Sequence, residues 1–210
     1  MAMESKDAKE SINAIKQIVS NCIVEENFDI SQLSAFDVEY FFIQLRMRSI
    51  GEKISLSFQC KNIVNENQEC NNLMEFDHDL STATIIKNPE HNKTIFFTKD
   101  VGVVMKYPSF YLNEILLDEK YRNKSSTEIG IDLIISCIDS FFEKENIFHI
   151  KEMNKKEVEE YIENIPKPSF DKMEKFFDTI PKIKSVIEHK CNKCGFEHNI
   201  PIEGITSFFA

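Results

Sequence analysis

Near the end of the chain, Lys190-Cys191-Asn192-Lys193-Cys194-Gly195 sets two thiols on a tight turn between apolar runs. Ile183, Val186 and Ile187 lead in, and Phe196, Ile200 and Ile202 lead out, which predicts strand, knuckle, strand. Gly195 can take the positive φ that such a turn uses, because it has no Cβ to clash. Two cysteines supply half of a tetrahedral thiolate site. Cys60 and Cys70 offer the other half. Ile54, Leu56 and Phe58 alternate with polar residues up to Cys60, and Leu73-Met74-Glu75-Phe76-Asp77 follows Cys70. A period of two is that of a half-buried strand. Strand, Cys, loop, Cys, strand thus occurs twice. A structural Zn2+ held by Cys60, Cys70, Cys191 and Cys194 would staple two hairpins that lie far apart along the chain.

Other readings of the same thiols stay open. The nine residues from Lys61 to Glu69 are a longer loop than an ordinary ribbon uses. A redox Cys-x-x-Cys normally opens a helix beside a βαβ unit, whereas this one lies in a hairpin. The thiols could also remain free. His189 and His198 flank the knuckle and could replace a thiol as ligand, or stand as ordinary surface residues. Cys22 and Cys137 lie on apolar faces of expected helices and read as small core residues. Met1 to Asp7 lacks the apolar stretch of a signal peptide, so a reducing cytoplasm, where disulfides are rare, is the expected folding compartment. No run of about 18 apolar residues occurs, so no spanning helix is expected.

The rest of the chain alternates between the two periods. Ala8, Ile12, Ile15, Val19 and Cys22 form a heptad-like seam over residues 5–22, the mark of an amphipathic helix that packs on its own domain or docks a partner. Ser34 with Asp37 reads as a capping box opening a helix that ends at Gly51. That helix is apolar over more than half its circumference, as a central core helix would be. Ile85-Ile86, Thr94–Thr98 and Val101–Met105 read as strands, with turns at Asn88-Pro89 and Lys99-Asp100. Helices are then expected at Tyr111–Lys120, along a face of Ile134, Cys137, Ile138 and Phe141, and after a capping box at Asn154 and Glu157. Another carries Met173, Phe176, Phe177 and Ile180, stopped by Pro181. A last short helix would carry Ile205, Phe208 and Phe209. The expected fold is α+β: helices packed around antiparallel β-hairpins, with a zinc-ribbon-like clamp of four cysteines joining two of them. Residues 1–33 would form an N-terminal amphipathic helical arm and residues 34–210 a single domain closed by the last hairpin.

Charge and motif content narrow the function. A net charge of −10 argues against binding a phosphate backbone. Against that stands a local group of Lys182, Lys184, Lys190 and Lys193, so a zinc-ribbon nucleic-acid or transcription-associated module is the alternative reading. The five glycines are scattered and form no phosphate loop, and neither His-Glu-x-x-His nor Gly-x-Ser-x-Gly occurs. The acidic run Glu157-Val158-Glu159-Glu160 falls on the outer side of an expected helix, as a solvated face does. Four thiolates would close the coordination sphere of zinc, which makes such a site structural. No catalytic residues are assigned.

Three stretches, in this order, carry a family resemblance. They are Phe36-Asp37-Val38-Glu39-Tyr40-Phe41-Phe42-Ile43-Gln44-Leu45-Arg46 with Ser49-Ile50-Gly51-Glu52; Val103-Val104-Met105-Lys106-Tyr107-Pro108; and Phe176-Phe177-Asp178-Thr179-Ile180-Pro181-Lys182 through the knuckle to Glu203-Gly204-Ile205-Thr206-Ser207-Phe208-Phe209. Over residues 34–209 the chain resembles the baseplate hub subunit and hub assembly proteins of T-even-type contractile-tailed bacteriophages. The resemblance implies a non-enzymatic role in assembling the baseplate hub. It implies partners among other hub or tape-measure-associated tail proteins, and a location in the virion baseplate or, during assembly, the host cytoplasm.

Overall fold

The computed structural model describes residues 8–25, 28–30, 33–65, 68–112, 121 and 124–204. Helix α1 (Ala8–Cys22) lies against α2 (Ala35–Ser49). Ile15 and Val19 of its seam are buried with Ile30, Val38, Phe42 and Phe110. Cys22 is not a core residue: it ends α1 and stands exposed, so the seam is buried at Ile15 and Val19 but not at its last position. Helix α2 is central, as its wide apolar surface predicts. Val38 and Phe42 face the α1 cluster, while Ile43 belongs to a second core. At its start the Ser34 hydroxyl donates to the Asp37 carboxylate (2.5 Å) instead of accepting a backbone N–H. At its end Gly51 takes a φ of +128°, and the Arg46 guanidinium donates to the carbonyls of Gly51 and Lys53.

That second core joins two hairpins. Strand β1 (Lys53–Gln59) pairs with β4 (Leu73–Asp79), with Lys53 opposite Asp79 and Gln59 opposite Leu73. Between them β2 (Ile63–Asn65) and β3 (Gln68–Glu69) form a small hairpin of their own. A 3-10 turn at Leu80–Thr82, capped by Asp79, leads to β5 (Thr84–Ile86). The last two strands, β10 (Lys182–Lys190) and β11 (Glu197–Glu203), complete a sheet in the order β11-β10-β5. Ile54 of the first hairpin and Leu80 of the turn that follows it meet Ile183, Ile187 and Ile202 from the last. Buried polar groups tie the same elements: His78 Nε2 lies 2.9 Å from Ser185 Oγ, which lies 2.6 Å from Thr82 Oγ1.

The remaining strands form an antiparallel meander in the order β6 (Thr94–Phe96), β7 (Val101–Met105), β8 (Ile138–Glu143), β9 (Asn146–His149). Ile95, Val103 and Phe141 line up across it on the buried face. Helices α3 (Ser126–Ser136), α4 (Lys155–Glu163) and α5 (Lys167–Thr179) cover that face through Ile134, Val158, Ile162, Met173 and Phe176. The expected helical face of Ile134, Cys137, Ile138 and Phe141 is corrected here. The helix stops at Ser136, Cys137 is its buried C-cap, and Ile138 and Phe141 belong to β8. Ile134, Cys137, Ile138 and Phe141 keep a helical spacing, but pairing with both β7 and β9 decides residues 138–143 for strand. Capping boxes are present at Asn154 with Glu157, as expected, and also at Ser125 with Glu128. The expected helix at Tyr111–Lys120 falls mostly outside the described residues, and the one bearing Ile205, Phe208 and Phe209 lies wholly outside them. All named strand pairs are antiparallel, so the fold is the α+β class expected.

Candidate metal centre

Each hairpin of the second core turns at a pair of cysteines, and the two turns share one hydrogen-bond pattern. In the C-terminal turn, Gly195 N–H donates to Cys191 O (2.9 Å) and Cys191 N–H donates to Phe196 O (2.8 Å). In the first, Asn71 N–H donates to Cys60 O (2.8 Å) and Cys60 N–H donates to Asn72 O (2.8 Å). The residue after the second cysteine is left-handed in both: Gly195 at φ +74° and Asn71 at φ +52°. Asn is among the few residues with a side chain that visit this region readily. The longer spacing of the first pair is absorbed by β2 and β3. Cys70 N–H donates to Asn62 O (2.7 Å) at the base of the β2–β3 hairpin, which leaves Cys60-Lys61-Asn62 beside Cys70. The first turn is therefore a Cys-x-x-Cys knuckle carrying an insertion.

The four sulfurs converge. All lie within 4.8 Å of one another, with Cys60 Sγ 3.7 Å from Cys194 Sγ and Cys70 Sγ 3.8 Å from Cys191 Sγ. Zinc–thiolate bonds of about 2.3 Å in a tetrahedron give an S···S edge of about 3.8 Å, so the cluster is geometrically compatible with a structural Zn2+ ion. Cys60, Cys70 and Cys191 are buried and Cys194 partly so, with Met74, Phe58 and Phe76 packed around them. Burial pushes the Cys60 thiol up to about 12 and raises that of Cys70. The backbone N–H groups of Cys194 and Lys193 hold the Cys191 thiol down at about 6. A divalent cation held there would supply the charge that lets the remaining buried thiols ionise, because metal binding displaces their protons.

Donors surround the sulfurs as well. Asn62 Nδ2 lies 3.7 Å from Cys194 Sγ, and Asn72 Nδ2 lies 3.6 Å from Cys191 Sγ and 2.7 Å from Asn192 Oδ1. Neither asparagine stood out in the sequence, although each lies two residues beyond a cysteine of the first pair, where the turn aims it across the cluster. His198 Nε2 lies 3.1 Å from Cys60 Sγ, beside the four-sulfur set and not within it, while His189 stacks on Phe76 at 4.8 Å. Outer hydrogen bonds of this kind orient ligands and tune a metal. Three of the four local lysines are engaged: Lys184 and Lys190 pair with Glu203 (2.5 Å) and Glu197 (3.3 Å), and Lys193 Nζ donates to Cys70 O. That weakens the nucleic-acid reading.

An α+β chain whose most concentrated chemistry is a closed set of four thiols is built to hold a shape. Over residues 1–210 it matches the family model described as T4 bacteriophage base plate protein. The chain belongs to that family, and its role is structural: it serves the assembly of the phage tail baseplate hub and is not an enzyme. No curated protein and no solved structure matches it. Among the described residues no helix is long and apolar enough to cross a membrane.

Proposed function

We propose that the chain acts in the baseplate hub as a zinc-clamped docking body, with Cys60, Cys70, Cys191 and Cys194 as the ligands. Its partners are other hub proteins or tape-measure-associated tail proteins, met in the host cytoplasm during assembly and retained in the virion baseplate. Residues 34–210 act as one domain closed by the last hairpin, and residues 1–33 as an arm. The burial of Ile15 and Val19 against Val38 and Phe42 supports an arm laid back on that domain. The observation that carries the reading is the family match over the whole chain, joined to a four-sulfur cluster at the spacing of a zinc tetrahedron. The ion fixes the relative position of two hairpins, so the surface they present to partners is set before assembly. The test is a pull-down with the zinc-loaded chain against each hub and tape-measure protein of the same phage. Saturable binding of at least one is expected, and binding of none at about 10 μM, where specific complexes normally form, refutes it.

A further inference from the structure

The two edges of the four-stranded meander are treated differently. On β6, α5 covers the outer edge: Lys172 Nζ donates to Phe96 O at 2.8 Å. On the opposite side β9 pairs only with β8 among the described residues. Its four residues, Asn146-Ile147-Phe148-His149, include no proline, lysine or arginine, the usual means of blunting an edge. Ile147 is 62% exposed and Phe148 46%. The sheet beside this edge is apolar on both faces. On the outer face Phe96, Gly102, Phe142 and Ile147 stand in one cross-strand row. On the inner face Phe148 borders a cleft of about 430 Å³ floored by Phe141, Met153 and Tyr161, with Glu143 on its wall.

We propose that β9 is a strand-addition site that takes an extended, basic segment with alternating apolar residues, contributed by another baseplate protein. The backbone of such a segment would pair with β9, and alternate side chains would enter the cleft or lie beside Ile147. Charge selects the partner. Residues 139–163 hold eight carboxylates against four lysines, and Glu143 and Glu145 flank the start of β9. A basic segment is attracted there, whereas a second copy of this chain would bring two acidic margins together.

The inference rests on the assembly role proposed above, and the experiment separates the two. The full zinc-loaded chain is titrated with each hub and tape-measure protein of the same phage, and then with short overlapping peptides from whichever binds. Amide hydrogen exchange is read along the chain. The expected result is a basic peptide that adds protection at the amides of residues 146–149 facing away from β8, and binds about tenfold or more weakly to Ile147→Lys, a variant that blunts the edge at an exposed position. Phe148→Ser provides a second variant aimed at the cleft. Zinc content and melting temperature report that each variant is folded. Protection elsewhere with full binding by both folded variants overturns the edge site and leaves the assembly role standing. Protection, already present in the free monomer, of those amides of residues 146–149 that face away from β8 overturns it too, as does a dimer that Ile147→Lys dissociates. If no hub or tape-measure protein binds the chain at all, the assembly role itself fails, and the edge site with it.

Discussion

Replacing Cys191 with serine should cost the protein the tie between its first and last hairpins. Cys191 is 1% exposed, and its sulfur lies 3.8 Å from that of Cys70, a residue 121 positions earlier. Cross-linking a loop of that length removes unfolded-state entropy worth about 5 kcal/mol. A metal that holds both ends acts on the unfolded chain in the same way, and its binding energy adds to folding. Three remaining thiolates bind zinc more weakly, so the expected loss lies between about 2 kcal/mol and the full amount. At roughly 2–4 °C per kcal/mol for a chain of this size, complete loss lowers the melting temperature by about 10–20 °C. Calorimetry with and without a chelator, alongside metal analysis, provides the assay. The wild type should carry one zinc per chain (~1 by stoichiometry of a four-thiolate site) and melt lower in chelator. C191S should melt low in both conditions, because the two perturbations remove the same interaction and do not add. Cys22→Ser, at an exposed site, is the control that should change neither. Full zinc and an unchanged melting temperature in C191S would refute the reasoning, as would an equal chelator shift in both proteins.

Four further outcomes are expected. Deleting residues 63–69 should leave zinc binding intact, since Asn62 and Cys70 already meet; loss of metal would show that the side hairpin holds the site. Gly102→Ala should destabilise by about 1–3 kcal/mol in a denaturant melt, because a Cβ there would lie 2.3 Å from Ile95 O and 2.5 Å from the Phe142 ring. Burial lowers the pKa of His78 and of His91 below 6.5, so the unfolded chain takes up protons first on acidification. Stability should therefore hold above that value and fall as pH drops through and below it, and the double variant His78→Gln/His91→Gln should flatten this fall. Ser125→Ala removes the cap of α3 and should cost about 1 kcal/mol, read by the same melt.

Much of the candidate site was legible before the structure because cysteines in hairpin surroundings have few uses. Period-two alternation around Ile54, Leu56 and Phe58 placed β1, and the apolar residues flanking Cys191 and Cys194 placed β10 and β11. The spacing of the first cysteine pair concealed its kinship with the second, since a backbone bond from Cys70 to Asn62 has no signature in residue types. The β8 strand was illegible for a different reason. Ile134, Cys137, Ile138 and Phe141 keep a helical spacing with no strand alternation to oppose it, and only partners distant in sequence or later in the chain, such as Val103 and Phe148, select the extended form. Cys22 shows the same limit at a helix end, where periodicity marks a face but not how far along the neighbouring helix reaches.

The order in which the strands are made has a consequence for synthesis. The first hairpin, with Ile54, Leu80, Cys60 and Cys70, is completed only by β10 and β11, the last described strands of the chain. At roughly 5–20 residues per second, a ribosome needs on the order of ten seconds to travel from Cys60 to Cys191. For that interval the nascent chain holds an apolar hairpin with two unpartnered thiols, while the meander and its helices can fold behind it. Closure of the clamp therefore trails the first hairpin by that interval. A chain whose translation stops short of Cys191 can form much of its secondary structure and still lack the surface that its assembly partners would meet.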